Sequence, residues 1–466
     1  MHRVTLTVAA ALFMLLLDGS ILNTSLPAMA QALQVRPLAL SAAVTVYLLA
    51  GAAMLPLASW LGDRVGFRRL FVGAIALFTL ASLLCGLAQG AQELVLARAL
   101  QGVGGGLMMP VGRTIAMRDA RKEDLIGITA LLTWPALFAP VLGPPLGGFI
   151  TTYASWRWNF LLNVPLGALA VVLILRWVPR DRPQAPRPLD VPGAAGAALG
   201  LMLLLGGLQW AAHVVGEGAA RVEALLTICA GAATLAWTVR HLRRTPHPVV
   251  SLAPFEHRTF LVATAAGGTF ASMCLQSTPF LLPLLFQLAL GRSAVDAGAL
   301  LLPYFLGNLA MKSVTTPILL RLGFRRVLVG AGIGNAAAIA AFALVGPQTP
   351  WLVLVALLVL AGCIRSMLLT GINTLMFADV TPPQRPAAAA LATMSMQTAA
   401  ALGVAVGAIV LAVSASWHGG TRLVLADFHA AFAAMGLFCA LATVSFWRMP
   451  DDAGAEMTRA TAGRSN

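Results

Sequence analysis

The chain is dominated by a succession of long apolar segments, each about as long as a helix that crosses a bilayer. Such a helix needs about 20 mainly apolar residues. The 466 residues contain fourteen segments of this kind. They are 4–26, 40–61, 70–88, 94–115, 125–150, 158–178, 192–210, 222–242, 259–287, 296–319, 327–345, 351–377, 387–413 and 428–447. Only 10% of the residues are charged, against about 25% in soluble domains. The pattern predicts an all-α membrane protein.

The distribution of basic residues predicts how these helices are oriented. If the N-terminus is cytoplasmic, most of the 31 Lys and Arg fall in loops, tails or helix ends on that side. The opposite side carries Arg36, Arg157, Arg221, Arg292 and Arg422. Because basic residues are retained on the cytoplasmic side, we expect a multi-pass protein of the bacterial cytoplasmic (inner) membrane with both termini inside. The net charge of +14 then follows from topology, and we expect no nucleic-acid partner.

An internal repeat predicts two related halves. The stretch RVGFRRLFVGA at 64–74 recurs as RLGFRRVLVGA at 321–331, with eight of eleven positions identical. Both copies follow an even-numbered segment, which fits two six-helix halves at 1–178 and 259–450. Residues 179–258 then form a linker with two extra transmembrane helices, and residues 451–466 a cytoplasmic tail.

Asp18 is the one carboxylate that the sequence places in the middle of an apolar segment. A central Asp costs about 3 kcal/mol on insertion scales, so a functional role is the first hypothesis. Two interpretations stay open. Asp18 can couple transport to proton movement, or it can form a structural ion pair with Arg98.

Four further stretches carry distinctive patterns. The pattern residues are Asp63, Arg64, Gly66 and Arg68 in LASWLGDRVGFRR; Arg98, Gln101 and Gly102 in LARALQGVGGG; Gly143, Pro144, Gly147 and Gly148 in APVLGPPLGGFI; and Trp156, Arg157, Trp158, Phe160, Asn163, Pro165 and Gly167 in SWRWNFLLNVPLG. Together with Asp18, Asn23 and Pro27 they resemble the major facilitator superfamily, in its fourteen-span branch of drug:proton antiporters (the EmrB/QacA type). Ser59 and Ala139 depart from the family pattern, which often has Gly there.

The resemblance implies the major facilitator fold, with 14 transmembrane helices in two pseudo-symmetric six-helix halves plus two extra helices. It implies export of small molecules by alternating access, no enzymatic activity, and no cofactor or metal. The Asp63–Arg68 loop is expected to act as a latch between conformations, although plain positive-inside charge is the alternative. The Gly143–Gly148 pattern is associated with exporters, which argues against an importer built on the same fold.

The deep charges indicate the sign of the substrate. One acid, Asp18, faces three deep basic residues, Arg98, Lys312 and Arg365. Because Arg suits bidentate carboxylate recognition, we expect an anionic or acidic substrate such as a citrate-like carboxylate. The expected substrate-binding residues are Arg98, Arg365, Lys312, Asn23, Gln101, Trp134 and Asn373.

Several alternatives to this interpretation remain open. The main one is a conventional proton antiporter of lipophilic cationic drugs, and a remote one is a membrane sensor or scaffold without transport. Lys312 can instead extend its amine toward the membrane interface. The expected partners are a small-molecule substrate, protons and the lipid bilayer. We expect a monomer, and an adaptor protein stays open.

Overall fold

The computed structural model describes residues 2–118, 125–181, 188–214, 218–417, 419 and 422–450. Regular secondary structure in these ranges is helical. The α-helices are α1 (His2–Ala32), α2 (Ser41–Met54), α3 (Leu57–Val65), α4 (Phe67–Leu87), α5 (Ala91–Arg118), α6 (Leu125–Tyr153), α7 (Trp158–Leu161), α8 (Asn163–Trp177), α9 (Val191–His213), α10 (Gly218–Leu242), α11 (Arg258–Thr264), α12 (Gly267–Leu284), α13 (Ala294–Leu322), α14 (Phe324–Ala341), α15 (Trp351–Leu375), α16 (Arg385–Trp417) and α17 (Leu425–Trp447).

The helices reproduce the predicted segments. Within the described residues, thirteen helical stretches are long and apolar enough to cross a membrane, and each coincides with a predicted segment. The remaining prediction, 125–150, coincides with α6, a 29-residue helix that contains four prolines. The tail at 451–466 lies outside the described residues.

Two of these thirteen stretches combine two successive α-helices. α7 and α8 form one span and are separated at Leu162. α11 and α12 form another, which ends in a π-helix at Leu285–Ala289. At the break between α11 and α12, the carbonyl of Thr264 accepts hydrogen bonds from the hydroxyls of Ser395, at 2.8 Å, and Thr269. These side chains satisfy backbone that the break frees, as an apolar surrounding requires.

The two copies of the repeat form the same turn. Gly66 has a φ of +93° between α3 and α4, and Gly323 has a φ of +79° between α13 and α14. Residues other than glycine rarely adopt this backbone conformation. The tight turn predicted at Gly66 is therefore present, and it occurs in both copies.

The chain divides into two compact units. Within the described residues, the first comprises 2–118, 125–181, 188–213, 218–249 and 292–299, and the second comprises 214, 250–291, 300–417, 419 and 422–450. The first therefore includes the extra helices α9 and α10. Its core contains Phe71, Phe78 and Met108, which are fully buried. The core of the second contains Phe260, Leu328 and Phe446, which are also fully buried.

The extra helices α9 and α10 form a closely packed pair in the first unit. Gly200 packs against Leu235, and a Cβ at Gly200 would lie 2.7 Å from its Cγ. Asp190, just before α9, accepts hydrogen bonds from Gly193 N at 2.9 Å and Val249 N at 3.3 Å. It also contacts Nε2 of His241 at 2.7 Å. The carboxylate thus fastens the start of α9 to the end of α10.

Candidate functional site

Asp18 lies in a buried polar network inside the first unit. Arg98 Nη1 donates to Asp18 Oδ2 at 2.7 Å, and both side chains are 1% exposed. The other carboxylate oxygen, Oδ1, accepts from Gln101 Nε2 at 2.9 Å and from Asn163 Nδ2 at 2.7 Å. Ser82 Oγ accepts from both of these amides, at 2.8 and 3.3 Å. The network joins α1, α4, α5 and α8.

Arg98 has further contacts that fix its position. Its Nε donates to the carbonyl of Ala43 at 3.4 Å, and its guanidinium carbon lies 4.0 Å from the ring centroid of Tyr47. Gln101 Oε1 accepts a second hydrogen bond from Arg98 Nη1, at 2.7 Å. Stacking on an aromatic face and hydrogen bonding both suit a buried guanidinium.

Glycines let α5 pack closely against α2. A Cβ at Gly102 would overlap the carbonyl of Tyr47, and one at Gly106 would overlap Gly51. Small residues at a membrane helix interface let two backbones approach closely. The Gly102–Gly106 stretch therefore lets Arg98 contact Ala43 and Tyr47 on α2.

The carboxylate of Asp18 has its hydrogen-bonding capacity and its charge satisfied by neighbouring side chains in this structure. Both oxygens are hydrogen-bonded and the charge is matched by Arg98, so the buried carboxylate is compensated. The ion pair with Arg98, one of the two hypotheses for this residue, is present. Proton coupling through Asp18 stays a prediction, and it requires that this network open during transport.

Arg365 occupies a different environment in the second unit. It is buried on α15, with 8% of its surface exposed. Its Nη2 donates to Gln276 Oε1 at 2.7 Å, and its Nη1 donates to the carbonyl of Leu275 and, at 3.4 Å, to the Tyr304 hydroxyl. All three acceptors are neutral. Among the described residues, no carboxylate lies within ion-pair distance of Arg365.

The other predicted binding residues have fewer contacts. Lys312 is exposed on α13, and Asn373 is partly exposed on α15. Asn23 is partly buried, and its Oδ1 has no hydrogen-bond partner within the described part of the chain. Trp134 is 55% exposed and stacks on Phe138, with ring centroids 4.8 Å apart. These four residues belong to no hydrogen-bonded cluster with Asp18 or Arg365 in the residues that the structure describes.

The loop motif between α3 and α4 is organised by an acid that sequence analysis missed. Asp181, which follows α8, accepts hydrogen bonds from the backbone N of Phe67 and, at 3.3 Å, of Arg68. Its Oδ2 also lies 3.4 Å from Nη1 of Arg118. Since free N–H groups at a helix N-terminus favour an anion, Asp181 caps α4.

The motif residues themselves lie around this cap. Arg68 donates through Nη2 to the carbonyl of Leu175. Arg64 is exposed, and its guanidinium carbon lies 5.2 Å from the ring centroid of Trp60. Asp63 is partly buried at the end of α3. The latch function of the motif stays a prediction.

The Gly143–Gly148 motif packs α6 against its neighbours in the first unit. A Cβ at Gly143 would overlap Ser20, and one at Gly147 would lie 2.7 Å from the carbonyl of Ile21. Gly148 approaches the carbonyl of Ala294, a residue of the same unit. Pro144 lies inside α6. Here the motif serves close helix packing, as glycines in membrane helices commonly do.

Sequence reasoning did not connect several members of these networks with one another. Asn163 lies in a stretch that the resemblance highlighted, but no spacing connects it to Asp18, 145 positions away. Ser82 and Asp181 belong to none of the sequence motifs described above. Gln276 and Tyr304 are adjacent to Arg365 only because α12, α13 and α15 pack together, which no local pattern predicts.

Comparison with known proteins places the chain in a family. The model of the Major Facilitator Superfamily matches residues 8–378 and 264–464. The chain belongs to this superfamily. A relative from Pectobacterium atrosepticum named "Putative multidrug resistance protein MdtD" is 35% identical over 459 residues, 97% of each chain. A protein of the same name from Escherichia coli is 35% identical over 451 residues, covering 96% of this chain and 94% of its own.

Solved structures of the superfamily share the fold. A D-xylose-proton symporter superposes with a TM-score of 0.69 at 15% identity, covering 97% of this chain and 99% of its own. The nucleoside transporter NupG gives a TM-score of 0.64 at 15% identity, covering 97% and 100%. The major facilitator fold expected from the sequence is confirmed. The protein is a multi-pass membrane transporter and not an enzyme.

Proposed function

We propose that this major facilitator protein exports small organic anions, of the citrate-like carboxylate class, across the bacterial inner membrane. Both termini lie in the cytoplasm, and Arg365 is the residue that binds the anion. The MdtD-named relatives support the assignment to export. The sequence motifs favour proton coupling, and Asp18 is the group we assign to it.

The observation that carries the proposal is the unmatched charge of Arg365. Its three protein partners are neutral acceptors, whereas Arg98 faces the carboxylate of Asp18. A buried charge without a counter-charge is costly, and an anion that binds beside it recovers much of that cost. Arg365 therefore favours a carboxylate ligand and disfavours a lipophilic cation.

The membrane potential assists export of such a substrate. An inside-negative potential drives each negative charge outward by about 2.3 kcal/mol per 100 mV. The membrane potential alone therefore makes the free energy of exporting a polycarboxylate favourable when its concentrations on the two sides are equal. Proton movement through Asp18 then regulates or strengthens export without being its only energy source.

Transport by the purified full-length chain in proteoliposomes tests the substrate. Radiolabelled citrate is offered outside, with an inside-positive potential imposed. Arg365→Gln is expected to lower citrate uptake at least tenfold, since a hydrogen bond to a charged group contributes about 1.5–3 kcal/mol. The matched control is Arg326→Gln, which removes an exposed positive charge from the same unit and is expected to retain uptake. Equal uptake by wild type and Arg365→Gln would contradict the anion site.

A second arm tests proton coupling with a pH-sensitive dye inside the vesicles. Asp18→Asn leaves Arg98 uncompensated and endangers folding, so the double variant Asp18→Asn with Arg98→Met is measured beside it. A double variant that moves citrate without moving protons supports coupling at Asp18. A double variant that still couples the two fluxes leaves Asp18 with a structural role alone.

The second candidate function is antiport of lipophilic cations against protons. It is favoured by the shared name of the relatives and by Asp18, which a cation could approach once the network opens. In the same vesicles, transport of a lipophilic cationic dye that is lost in Asp18→Asn and kept in Arg365→Gln, with no citrate uptake, would favour this candidate.

A further inference from the structure

Besides the site at Arg365, a basic cavity lies at the end of the first unit where α4 begins, away from the Asp18 network. It is a cavity of about 510 Å³. The walls come from the start of α1, the start of α4, the end of α5 and the end of α8. Its charged lining residues are Arg68, Arg118, Arg180 and Asp181. Since Asp181 offsets one of the three arginines, the described part of the lining carries two more positive than negative charges.

The guanidinium groups that line the cavity use only some of their N–H donors in contacts with described residues. Both oxygens of Asp181 are engaged at the α4 N-terminus, and one also contacts Arg118. Nη2 of Arg68 donates a hydrogen bond to the carbonyl of Leu175. Its Nε is buried and has no hydrogen-bond partner among the described residues. The side chain of Arg118 is 42% exposed, and Arg180 is exposed. Counting only the described residues as partners, guanidinium N–H groups remain available on several sides of the cavity.

The rest of the lining is apolar and aromatic. Phe67, Ile115, Trp177 and Val178 contribute to it. The guanidinium carbon of Arg3 lies 6.0 Å from the ring centroid of Trp177. Trp at the end of a membrane helix is typical of the level of the lipid head groups. Basic pockets between membrane helices at that level bind anionic head groups.

We propose that this cavity binds the phosphate group of an anionic phospholipid. A phosphate offers several acceptor oxygens to guanidinium forks, and the apolar walls suit the adjoining glycerol and upper acyl chain. The bound head group contacts Arg118 and Arg180 and reinforces the junction of α4, α5 and α8 that Asp181 organises. A free phosphate-bearing anion from solution has the same chemistry, and the experiment separates the two sources.

Binding is measured on the full-length chain purified in a neutral detergent. The probes are dioctanoyl phosphatidylglycerol, dioctanoyl phosphatidylcholine and inorganic phosphate. The readouts are the apparent Kd from the shift in thermal unfolding and the number of lipids retained in native mass spectrometry. We expect phosphatidylglycerol to bind at least tenfold more tightly than phosphatidylcholine. We expect the double variant Arg118→Gln with Arg180→Gln to weaken phosphatidylglycerol binding at least tenfold.

The matched control is the double variant Arg69→Gln with Arg176→Gln. It removes two exposed arginines from α4 and α8 that do not line the cavity, and it is expected to bind like wild type. Equal weakening in both double variants would mean general surface charge and would overturn the proposal. Equal binding of phosphatidylcholine would overturn it as well. Inorganic phosphate that binds as tightly as phosphatidylglycerol, and is lost in the Arg118/Arg180 variant alone, would keep the phosphate site but overturn the lipid as its source.

Discussion

Nη1 of Arg98 lies 2.7 Å from Oδ2 of Asp18, and both side chains are 1% exposed. Removing one partner from such a pair leaves a buried charge uncompensated, which costs about 3–5 kcal/mol. We therefore expect Asp18→Asn and Arg98→Met each to lower the unfolding midpoint in detergent strongly. The double variant is expected to recover much of the loss. If the two single losses simply add in the double variant, the pair does not stabilise the fold as a unit.

Gln276 supplies one of the three neutral acceptors of Arg365, at 2.7 Å. Gln276→Leu is expected to destabilise the protein by about 1–3 kcal/mol, because a donor of a buried guanidinium is left without an acceptor. If the proposed anion site is correct, citrate should stabilise this variant at least as much as it stabilises wild type. Thermal unfolding with and without citrate measures both effects, and Gln397→Leu, on α16 of the same unit, serves as the control. A stability unchanged by Gln276→Leu would contradict the hydrogen-bond assignment.

Gly106 in α5 packs directly against Gly51 in α2, and an added Cβ would overlap the backbone there. Gly106→Ala is expected to destabilise by about 1–3 kcal/mol, as overpacking of a close contact does. Gly73→Ala in α4 is the matched control, since a Cβ there meets nothing within 4 Å. It is expected to be neutral or slightly stabilising, because alanine favours a helix over glycine. The unfolding midpoints of the two variants in one detergent give the comparison, and equal midpoints would argue against close packing of α5 on α2.

We expect the stability of the α9–α10 pair to depend on pH through the carboxyl of Asp190. Burial alone would raise the pKa of this carboxyl, but hydrogen bonds from His241 and the backbone N–H groups of Gly193 and Val249 outweigh it, so the pKa lies below its usual value of 3.8. A depressed pKa stabilises the fold at pH values above the unfolded-state pKa. The contribution is lost as the pH falls through the folded-state pKa.

The corresponding experiment compares wild type with Asp190→Asn between pH 6 and pH 3. We expect wild type to unfold at a higher temperature above about pH 4, and the difference to shrink at lower pH. Asp296→Asn, which alters an exposed carboxylate in the first turn of α13, is expected to show no such convergence. A difference that stays constant across the range would remove Asp190 as the titrating group.

The spans and the repeated turn could be predicted from sequence because their causes are local. A run of about 20 apolar residues is a helix in a bilayer whatever surrounds it, and glycines at 66 and 323 permit the backbone that both turns adopt. The ion pair between Asp18 and Arg98 is one of two options that the sequence leaves open, since two opposite charges deep in apolar segments attract each other. Local pattern could not choose between the options.

The tertiary structure decided which side chains share a site. Asn163 reaches Asp18, Asp181 caps α4, and the described acceptors of Arg365 are all neutral, because helices distant in sequence pack at particular rotations and depths. These rotations depend on close glycine contacts such as Gly102 against Tyr47. The sequence by itself determined a membrane transporter with its helices and turns. The packing alone determined that one deep arginine is neutralised and the other is not, because a counter-charge acts only where the fold brings it within a few ångströms.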